Sequence, residues 1–206
     1  MAAKKIRTEI RRRQITDAAV AIIASDGVRG LSISKIAQRV GMAPSNLYRH
    51  YQGKEEVIGS VLERFGKMLA ENVKRARDDR AGSLDRLECV LLRHAGMVTE
   101  TRVLPAILFS EEVFLGRGAL KRRLQRALDE YFAGIESIVR EGRKRGEIRR
   151  DVSPRMVPTL LMSAVVPALL FWHLSGGGFD LRRRVRGHWA LIREMLGAQP
   201  GRTREG

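Results

Sequence analysis

Cysteine is nearly absent from this sequence of 206 residues and occurs once, at Cys89. A single thiol excludes an intramolecular disulfide and the zinc sites that are built from several cysteines. Cys89 lies beside Val90, Leu91 and Leu92 in an apolar helical pattern, so we expect a small core residue rather than a redox sensor. This composition fits a reducing cytoplasm, and no metal or cofactor is expected.

Acidic residues are also few, 23 against 39 Lys and Arg, which gives a formal charge of +16. Residues 1–54 contain eleven basic and three acidic residues, net +8, and the rest contain 28 and 20, also +8. About a quarter of the chain therefore carries half of the excess charge. This distribution predicts a polyanionic partner for the N-terminal region, with a solvated surface as the simpler alternative.

Familiar catalytic motifs are missing. The four histidines are scattered, and the sequence has no His-Glu-x-x-His, Gly-x-Ser-x-Gly, Walker or Rossmann run. A catalytic dyad would have to be assembled by folding alone, which makes a helical enzyme the less favoured alternative. Strand-like alternation, solenoid repeats and a secretory signal peptide are not found either. The chain is therefore expected to be all-α.

The sequence does contain a helix-turn-helix pattern, SISKIAQRVGMAPSNLYRHYQGK, which begins at Ser32. Apolar spacing predicts a helix over 34–40 with Ser32 as its N-cap. Gly41 suits the turn that ends this helix, and Pro44 suits the start of a second helix over 44–51. The second helix is too short to be stable alone and exposes hydrogen-bonding side chains, as a helix that reads the major groove requires. An ordinary helical hairpin is the alternative.

This pattern resembles the DNA-binding domain of TetR-family transcriptional regulators over about the first quarter of the chain. The residues that carry the resemblance are Ile36, Ala37, Gly41, Met42, Leu47, Tyr48, Arg49, His50, Tyr51, Lys54, Glu55 and Glu56. Ala43 departs from the family, which usually has a Ser or Thr cap there; an Ala costs about 1 kcal/mol of helix-start stability. The resemblance implies a DNA-binding regulator, in particular a repressor that a small apolar or amphipathic effector releases from a palindromic operator.

Eight residues become candidate DNA contacts. By the family's pattern, Ser34, Pro44, Ser45 and Asn46 lie on the base side, and Tyr48, His50 and Lys54 hold phosphates. Arg49 is added because a guanidinium suits guanine, as the Asn46 amide suits adenine. Residues 1–8 are expected to be disordered until DNA binds. Arg7, Arg11, Arg12 and Arg13 would then reach phosphates or the minor groove.

Apolar spacing predicts seven further helices, over 8–25, 54–80, 83–100, 104–115, 119–144, 154–174 and 181–196. We expect a DNA-binding domain over 1–53, a connector helix over 54–80, an effector-binding and dimerisation domain over 81–198 and a disordered tail over 199–206. By resemblance, the connector transmits the ligand state to the DNA-binding region.

One segment, Met156 to Leu174, is almost uncharged and long enough to span a membrane. It contains Pro158, Pro167 and His173 and is not flanked by a topology signal, so a helix buried by other helices is the preferred interpretation. By resemblance, the helices over 154–174 and 181–196 form the four-helix interface of a homodimer.

The resemblance also implies a small-molecule pocket between the connector and the dimer helices. Its candidate lining residues are Leu91, His94, Met97, Val98, Phe109, Glu112, Tyr131, Phe132 and Ile135. Aromatic and Met side chains around a few polar groups suit an apolar or amphipathic effector, although each residue is also explained as plain core. The third alternative, a nonspecific nucleic-acid-binding protein, fits poorly with one short reading helix and a long apolar domain.

Overall fold

A computed structural model describes residues 2–78, 82–101, 103–108, 110–114 and 118–198, without the side chains of residues 2–5, 101, 104, 105, 108, 112 and 114. These ranges contain ten helices: α1 (Ala2–Asp26), α2 (Ile33–Val40), α3 (Pro44–Leu47), α4 (Lys54–Asp78), α5 (Ser83–Thr101), α6 (Val103–Leu108), α7 (Glu111–Phe114), α8 (Ala119–Lys144), α9 (Val157–Leu174) and α10 (Leu181–Leu196). No strand occurs in them beyond an isolated bridge between Ile148 and Gly197. The predicted all-α fold is confirmed.

The chain divides into two compact units. The first consists of Met1–Lys67 and Glu100–Ala127, and the second of Met68–Thr99 and Leu128–Gly206. This division differs from the predicted functional one because residues 100–127 group with the helix-turn-helix. The predicted domains were defined by function, whereas these two units are defined by contacts within the chain. The predicted functional domains therefore stay a prediction.

The first unit has one apolar core around the helix-turn-helix. As predicted, the apolar stripe of α1 packs with that of α2 and α3; the buried members are Ile15, Ala18, Ala19, Ile22, Ile23, Ile36, Ala37 and Leu47. Four residues of the later segment, Val103, Ile107, Val113 and Leu120, belong to the same core. The helix-turn-helix is therefore supported by a segment distant in sequence, which the apolar spacing did not indicate.

Two predicted elements of this unit are wrong. Residues 2–8 are not disordered, since α1 begins at Ala2; the run AAKKIRT contains good helix formers and neither Gly nor Pro. The predicted helix over 104–115 is two short helices, α6 and α7. The Ser110 hydroxyl accepts a hydrogen bond from the Val113 N–H at 3.3 Å and so caps a new helix start.

The second unit contains the predicted pair of C-terminal helices, α9 and α10, which pack on each other. α10 has the predicted bounds, and α9 begins three residues later than predicted. In the described ranges, α9 is the one helix whose length and composition also suit a membrane span, and 39% of its residues are buried within the protein. A helix with one buried face is equally typical of a core, so this test is weak evidence for a membrane.

Candidate nucleic-acid interface and effector region

Helix α2 is capped at both ends as predicted. Ser32 precedes it, and its side chain accepts a hydrogen bond from the Lys35 N–H at 3.2 Å. Gly41 ends it with a left-handed φ of 71°, which residues with a Cβ rarely adopt. The Met42 N–H then donates to the Ala37 carbonyl at 2.9 Å, as in the common glycine-terminated helix end. These bonds fix the direction in which the chain enters the reading helix.

The reading helix, α3, is shorter than predicted. It ends at Leu47, and residues 48–50 form a turn in place of the predicted helical continuation. Ala43 makes no side-chain cap at the helix start, so a stabilising bond that Ser or Thr would supply is missing. The His50 N–H donates to the Leu47 carbonyl at 2.8 Å. This three-residue spacing winds the chain more tightly than an α-helix.

One buried side chain anchors α3 among exposed ones. Leu47 is fully buried in the core of the unit. The exposed candidate contacts are Ser34, Pro44, Ser45, Asn46, Tyr48 and Arg49, and the partly buried ones are His50 and Lys54. Tyr48 is 57% exposed in spite of its large ring. This segment is thus apolar on the side of the core and offers hydrogen-bonding groups on the other, as a helix that enters a DNA groove must.

The Arg12 side chain of α1 fastens the turn that follows the reading helix. Its guanidinium donates to the His50 carbonyl, lies 3.2 Å from a Glu56 carboxylate oxygen and covers the Tyr51 ring at 4.1 Å from the centroid. The other Glu56 oxygen accepts from the Gln52 N–H at 2.7 Å. We call these five residues the Arg12 clamp. The clamp fixes the segment between α3 and α4, which carries two of the candidate phosphate contacts.

Further interactions keep the clamp in place. The Tyr51 hydroxyl is 3.0 Å from Thr16 Oγ1 on its buried side. The hydrogen bond from the Gln52 N–H, and after it the Arg12 guanidinium, lowers the pKa of the Glu56 carboxyl. Glu56 therefore stays ionised at mildly acidic pH, and its interaction with Arg12 persists there.

A shallow basic groove runs along α1 and ends at His50. Its lining residues are Arg7, Thr8, Ile10, Arg11, Gln14 and His50. Within the described residues, the buried His50 Nδ1 has no hydrogen-bond partner. Burial, followed by the charges of Arg11, Arg12 and Arg49, lowers the pKa of His50, so the ring is neutral in the free protein at pH 7. The groove offers positive charge to a phosphate, with the His50 ring at its end.

DNA binding is expected to strengthen as the pH falls from 8 to 6, through His50. A phosphate beside the ring favours the protonated form, which raises the pKa of His50 in the complex above that in the free protein. The affinity then rises as the pH falls through the pKa of the complex and levels off below the pKa of the free protein. The gain is up to about tenfold for each unit between the two pKa values.

Fluorescence anisotropy of labelled duplex DNA at constant salt measures this pH dependence. A His50→Gln variant keeps a hydrogen-bonding side chain without a titrating ring, and it is expected to lose the His50 part of the slope. An unchanged slope in the variant would show that His50 does not meet a phosphate.

The candidate effector residues lie in several environments. Leu91, His94, Val98, Tyr131 and Ile135 are buried in the second unit, and Met97 and Phe132 are partly buried. Phe109 and the Glu112 side chain lie outside the described residues. The His94 and Tyr131 rings stack with centroids 5.6 Å apart, so the structure brings two predicted polar groups together. Across the described ranges, no group of three or more His, Cys, Asp or Glu side chains is placed to hold a metal ion.

Asn72 joins this pair and was missed by the sequence analysis. It is 3% exposed, and its Nδ2 donates to the Val90 carbonyl at 2.9 Å and lies 3.2 Å from the Tyr131 hydroxyl. Burial lowers the pKa of His94 to about 4, and burial also raises the pKa of Tyr131. All three side chains are therefore neutral at pH 7. The sequence feature that could have indicated Asn72 is its position as a polar amide within the apolar stripe of α4.

An apolar surface stays uncovered on α9 and α10. Val166, Leu170, Phe171 and Leu174 of α9 and Leu191 and Met195 of α10 are exposed, by 40% for Val166 and up to 71% for Leu174. We call these six residues the α9–α10 face. Large exposed apolar patches typically mark an interaction site.

Two family models match this chain. The model of bacterial regulatory proteins of the tetR family matches residues 15–61, and the model of the YsiA-like protein C-terminal region matches residues 62–195. Among curated proteins, the fatty acid metabolism regulator protein of Bacillus subtilis (strain 168) is 25% identical over 169 residues, which cover 82% of this chain and 86% of the relative. The nucleoid occlusion factor SlmA of Vibrio vulnificus is 22% identical over 187 residues, 90% of this chain and 95% of the relative.

Solved structures share the fold. The crystal structure of the transcriptional regulator FadR from Bacillus subtilis in complex with stearoyl-CoA superposes with a TM-score of 0.78 at 23% identity and covers 89% of this chain and 98% of that one. The structure of the fatty acid degradation regulator FadR from Bacillus halodurans gives a TM-score of 0.78 at 20% identity, with 88% and 94% covered.

Proposed function

The chain belongs to the TetR family of bacterial regulatory proteins and is a DNA-binding transcriptional regulator; we propose that it reads a palindromic operator as a homodimer and that a long-chain acyl thioester releases it. The observation that carries the proposal is the reading segment itself, in which a buried Leu47 holds a short helix whose other side chains are exposed. The curated relatives named above are a fatty acid metabolism regulator protein and a nucleoid occlusion factor, which supports regulation over the enzyme alternative. A cytoplasmic location follows from this role.

The eight candidate contacts divide into two roles in this proposal. Asn46 and Arg49, exposed on and just after α3, read base edges together with Ser34, Pro44 and Ser45. Tyr48, His50 and Lys54 hold phosphates in and beside the Arg12 clamp. Base contacts specify the sequence, and phosphate contacts position the protein without reading it.

Asn46→Ala and Lys54→Ala are therefore expected to differ. Loss of the Asn46 amide should remove about 1–3 kcal/mol of discrimination at one base pair, because an amide pairs with adenine through two hydrogen bonds. Loss of the Lys54 ammonium should weaken binding to all sequences alike and reduce the salt slope by about one. Binding of both variants to the operator, to single-base substitutions and to unrelated DNA measures the difference. Equal losses across sequences for both variants would contradict the two roles.

The proposed dimer uses the α9–α10 face. A second copy of this chain is its best occupant, because two-fold symmetry pairs the same face with itself and gives two reading helices for the two halves of a palindrome. Burying a fully exposed Leu or Phe contributes about 1.5–3 kcal/mol, and these side chains, 44% to 71% exposed, contribute part of that. Lipid is a poorer partner, since Ser163 and His173 are also exposed on α9 and Arg183 and Arg186 on α10.

The proposed effector is a long-chain acyl thioester such as stearoyl-CoA. The 25% identical relative is named a fatty acid metabolism regulator, and a structure with the same fold was determined with stearoyl-CoA. The candidate effector residues that the structure describes are apolar except for His94 and Tyr131, which are neutral at pH 7. A long acyl chain with one neutral polar group near it suits such surroundings.

Stearoyl-CoA is expected to lower the affinity for operator DNA by about tenfold or more, within the usual range of coupling between two ligand sites. By linkage, DNA must weaken stearoyl-CoA binding by the same factor. Anisotropy titrations with DNA at fixed stearoyl-CoA, and with stearoyl-CoA at fixed DNA, measure the two changes in affinity. Coenzyme A without an acyl chain is the control. An operator affinity that does not change at saturating stearoyl-CoA would exclude this effector class.

A further inference from the structure

Three helices of the second unit bring Asn72, His94 and Tyr131 together in an apolar environment. Helix α4 carries Asn72, α5 carries His94 and α8 carries Tyr131. Helices α4 and α8 approach closely one turn beyond Tyr131, where a Cβ on Gly134 would lie 2.8 Å from Val73 Cγ1. We call the three polar side chains the neutral centre. Each is more than nine-tenths buried, with exposures of 3%, 7% and 1%.

The hydrogen bonds of the neutral centre are incomplete. The Val90 carbonyl can only accept, so the Asn72 amide nitrogen must face it. With Nδ2 also directed at the Tyr131 hydroxyl, Asn72 Oδ1 has no partner among the described residues, and neither has His94 Nδ1. The Tyr131 oxygen accepts from Asn72, which leaves its own hydrogen to donate. Buried polar atoms in native proteins normally have partners, so these atoms are available to hydrogen-bond a bound group.

A group that used both sites would donate to Asn72 Oδ1 and accept from the Tyr131 hydroxyl. A hydroxyl or a secondary amide can do both, whereas a carboxylate has no hydrogen to donate and an ammonium has no lone pair to accept. Burial lowers the pKa of His94, so this environment disfavours charge. A charged group brought here would lose its hydration without an opposite charge to replace it.

We infer that the neutral centre is the specificity-determining polar subsite of the effector site and binds a neutral hydroxyl or secondary amide beside the apolar part of the ligand. The inference rests on the proposed function for its acyl chain, because the pantetheine arm of a CoA thioester supplies secondary amides. A hydroxyl on the chain is the other source of the same chemistry. A free fatty acid must give up its charge before its carboxyl can donate a hydrogen bond here, so stearate is expected to bind more weakly than stearoyl-CoA.

The experiment compares the full-length protein with Asn72→Leu and Tyr131→Phe, using calorimetric titration and thermal unfolding. The probes are stearoyl-CoA, which has amides but no chain hydroxyl, and 1-dodecanol, which has a hydroxyl but no amide. Each variant is expected to weaken binding of the probe that uses the centre by about fivefold to tenfold. The unfolding midpoint should fall by about 2–8 °C in each variant, because each change breaks the Asn72–Tyr131 hydrogen bond. Thr99→Val on α5 is the matched control, since its hydroxyl bonds to Gly96 of its own helix.

The outcomes separate this inference from the proposed effector. Variants that bind both probes like wild type would overturn the inference and leave the acyl thioester in place, with water as the occupant of the centre. Dodecanol binding that the variants weaken, with no binding of stearoyl-CoA, would support the neutral centre and exclude the thioester. A stability loss in both variants with unchanged probe affinity would show a structural role alone. If neither probe binds wild type, both proposals are wrong.

Discussion

A Leu191→Asp variant is expected to be monomeric and to bind operator DNA about a hundredfold more weakly than wild type, or weaker still. Leu191 is 65% exposed in the α9–α10 face, and burying a carboxylate there against an apolar partner costs several kcal/mol. The monomer keeps one reading helix and loses the joint binding of two half-sites, which is worth two to four orders of magnitude in affinity. Sedimentation equilibrium and DNA anisotropy measure the two effects.

The matched control is Ala190→Asp, which adds the same charge to an exposed residue of α10. Adjacent residues of a helix point about 100° apart, so this carboxylate lies beside the face rather than within it. Ala190→Asp is expected to stay dimeric. A dimeric Leu191→Asp protein with wild-type DNA affinity would show that the α9–α10 face is not the dimer interface.

An Arg12→Ala variant is expected to lose about 2 kcal/mol of unfolding free energy, because it removes hydrogen bonds to a carbonyl and a carboxylate and a contact with an aromatic ring. The expected loss of DNA affinity is about tenfold or more on every sequence, since the freed turn no longer holds His50 and Lys54 in place. Chemical denaturation and DNA anisotropy measure the two losses. Arg12→Lys keeps the charge without the planar fork and should recover part of both.

Arg13 supplies the control for the clamp. It is the next residue on α1 and is exposed, so Arg13→Ala removes the same charge without touching the clamp. Its stability is expected to match wild type, with a smaller loss of DNA affinity. If Arg12→Ala and Arg13→Ala changed the unfolding free energy and the DNA affinity equally, Arg12 would contribute only its charge.

The helix-turn-helix was predictable because its information is local. Ser32, Gly41 and Pro44 act within one turn of chain, through a side-chain cap, a left-handed φ of 71° and a restricted first helical residue. Long apolar stripes likewise predicted α8 and α10 with their observed bounds. The same local spacing predicted too long a helix for α3. Ala43 gives no side-chain cap, and the chain winds more tightly after Leu47.

The remaining features depend on contacts between residues distant in sequence. Val103 and Leu120 complete the core of the helix-turn-helix, and their apolar spacing does not say which core they join. In the sequence, Arg12 is one of several N-terminal cations, and its contact with Glu56 is evident only from the structure. The sequence around Asn72 does not show that its amide lies 3.2 Å from the Tyr131 hydroxyl. Periodicity predicts which side of a helix is buried but not what it meets.

Selection from random duplex DNA by the purified protein, at two salt concentrations, tests the central claim most directly. A homodimer with two α3 helices is expected to enrich an inverted repeat, because its two-fold axis imposes palindromy on the site. Affinity should fall steeply with salt through the phosphate contacts. Salt-sensitive binding without any enriched sequence would contradict the account and favour a nonspecific nucleic-acid-binding protein, and an enriched site without two-fold symmetry would contradict the dimer.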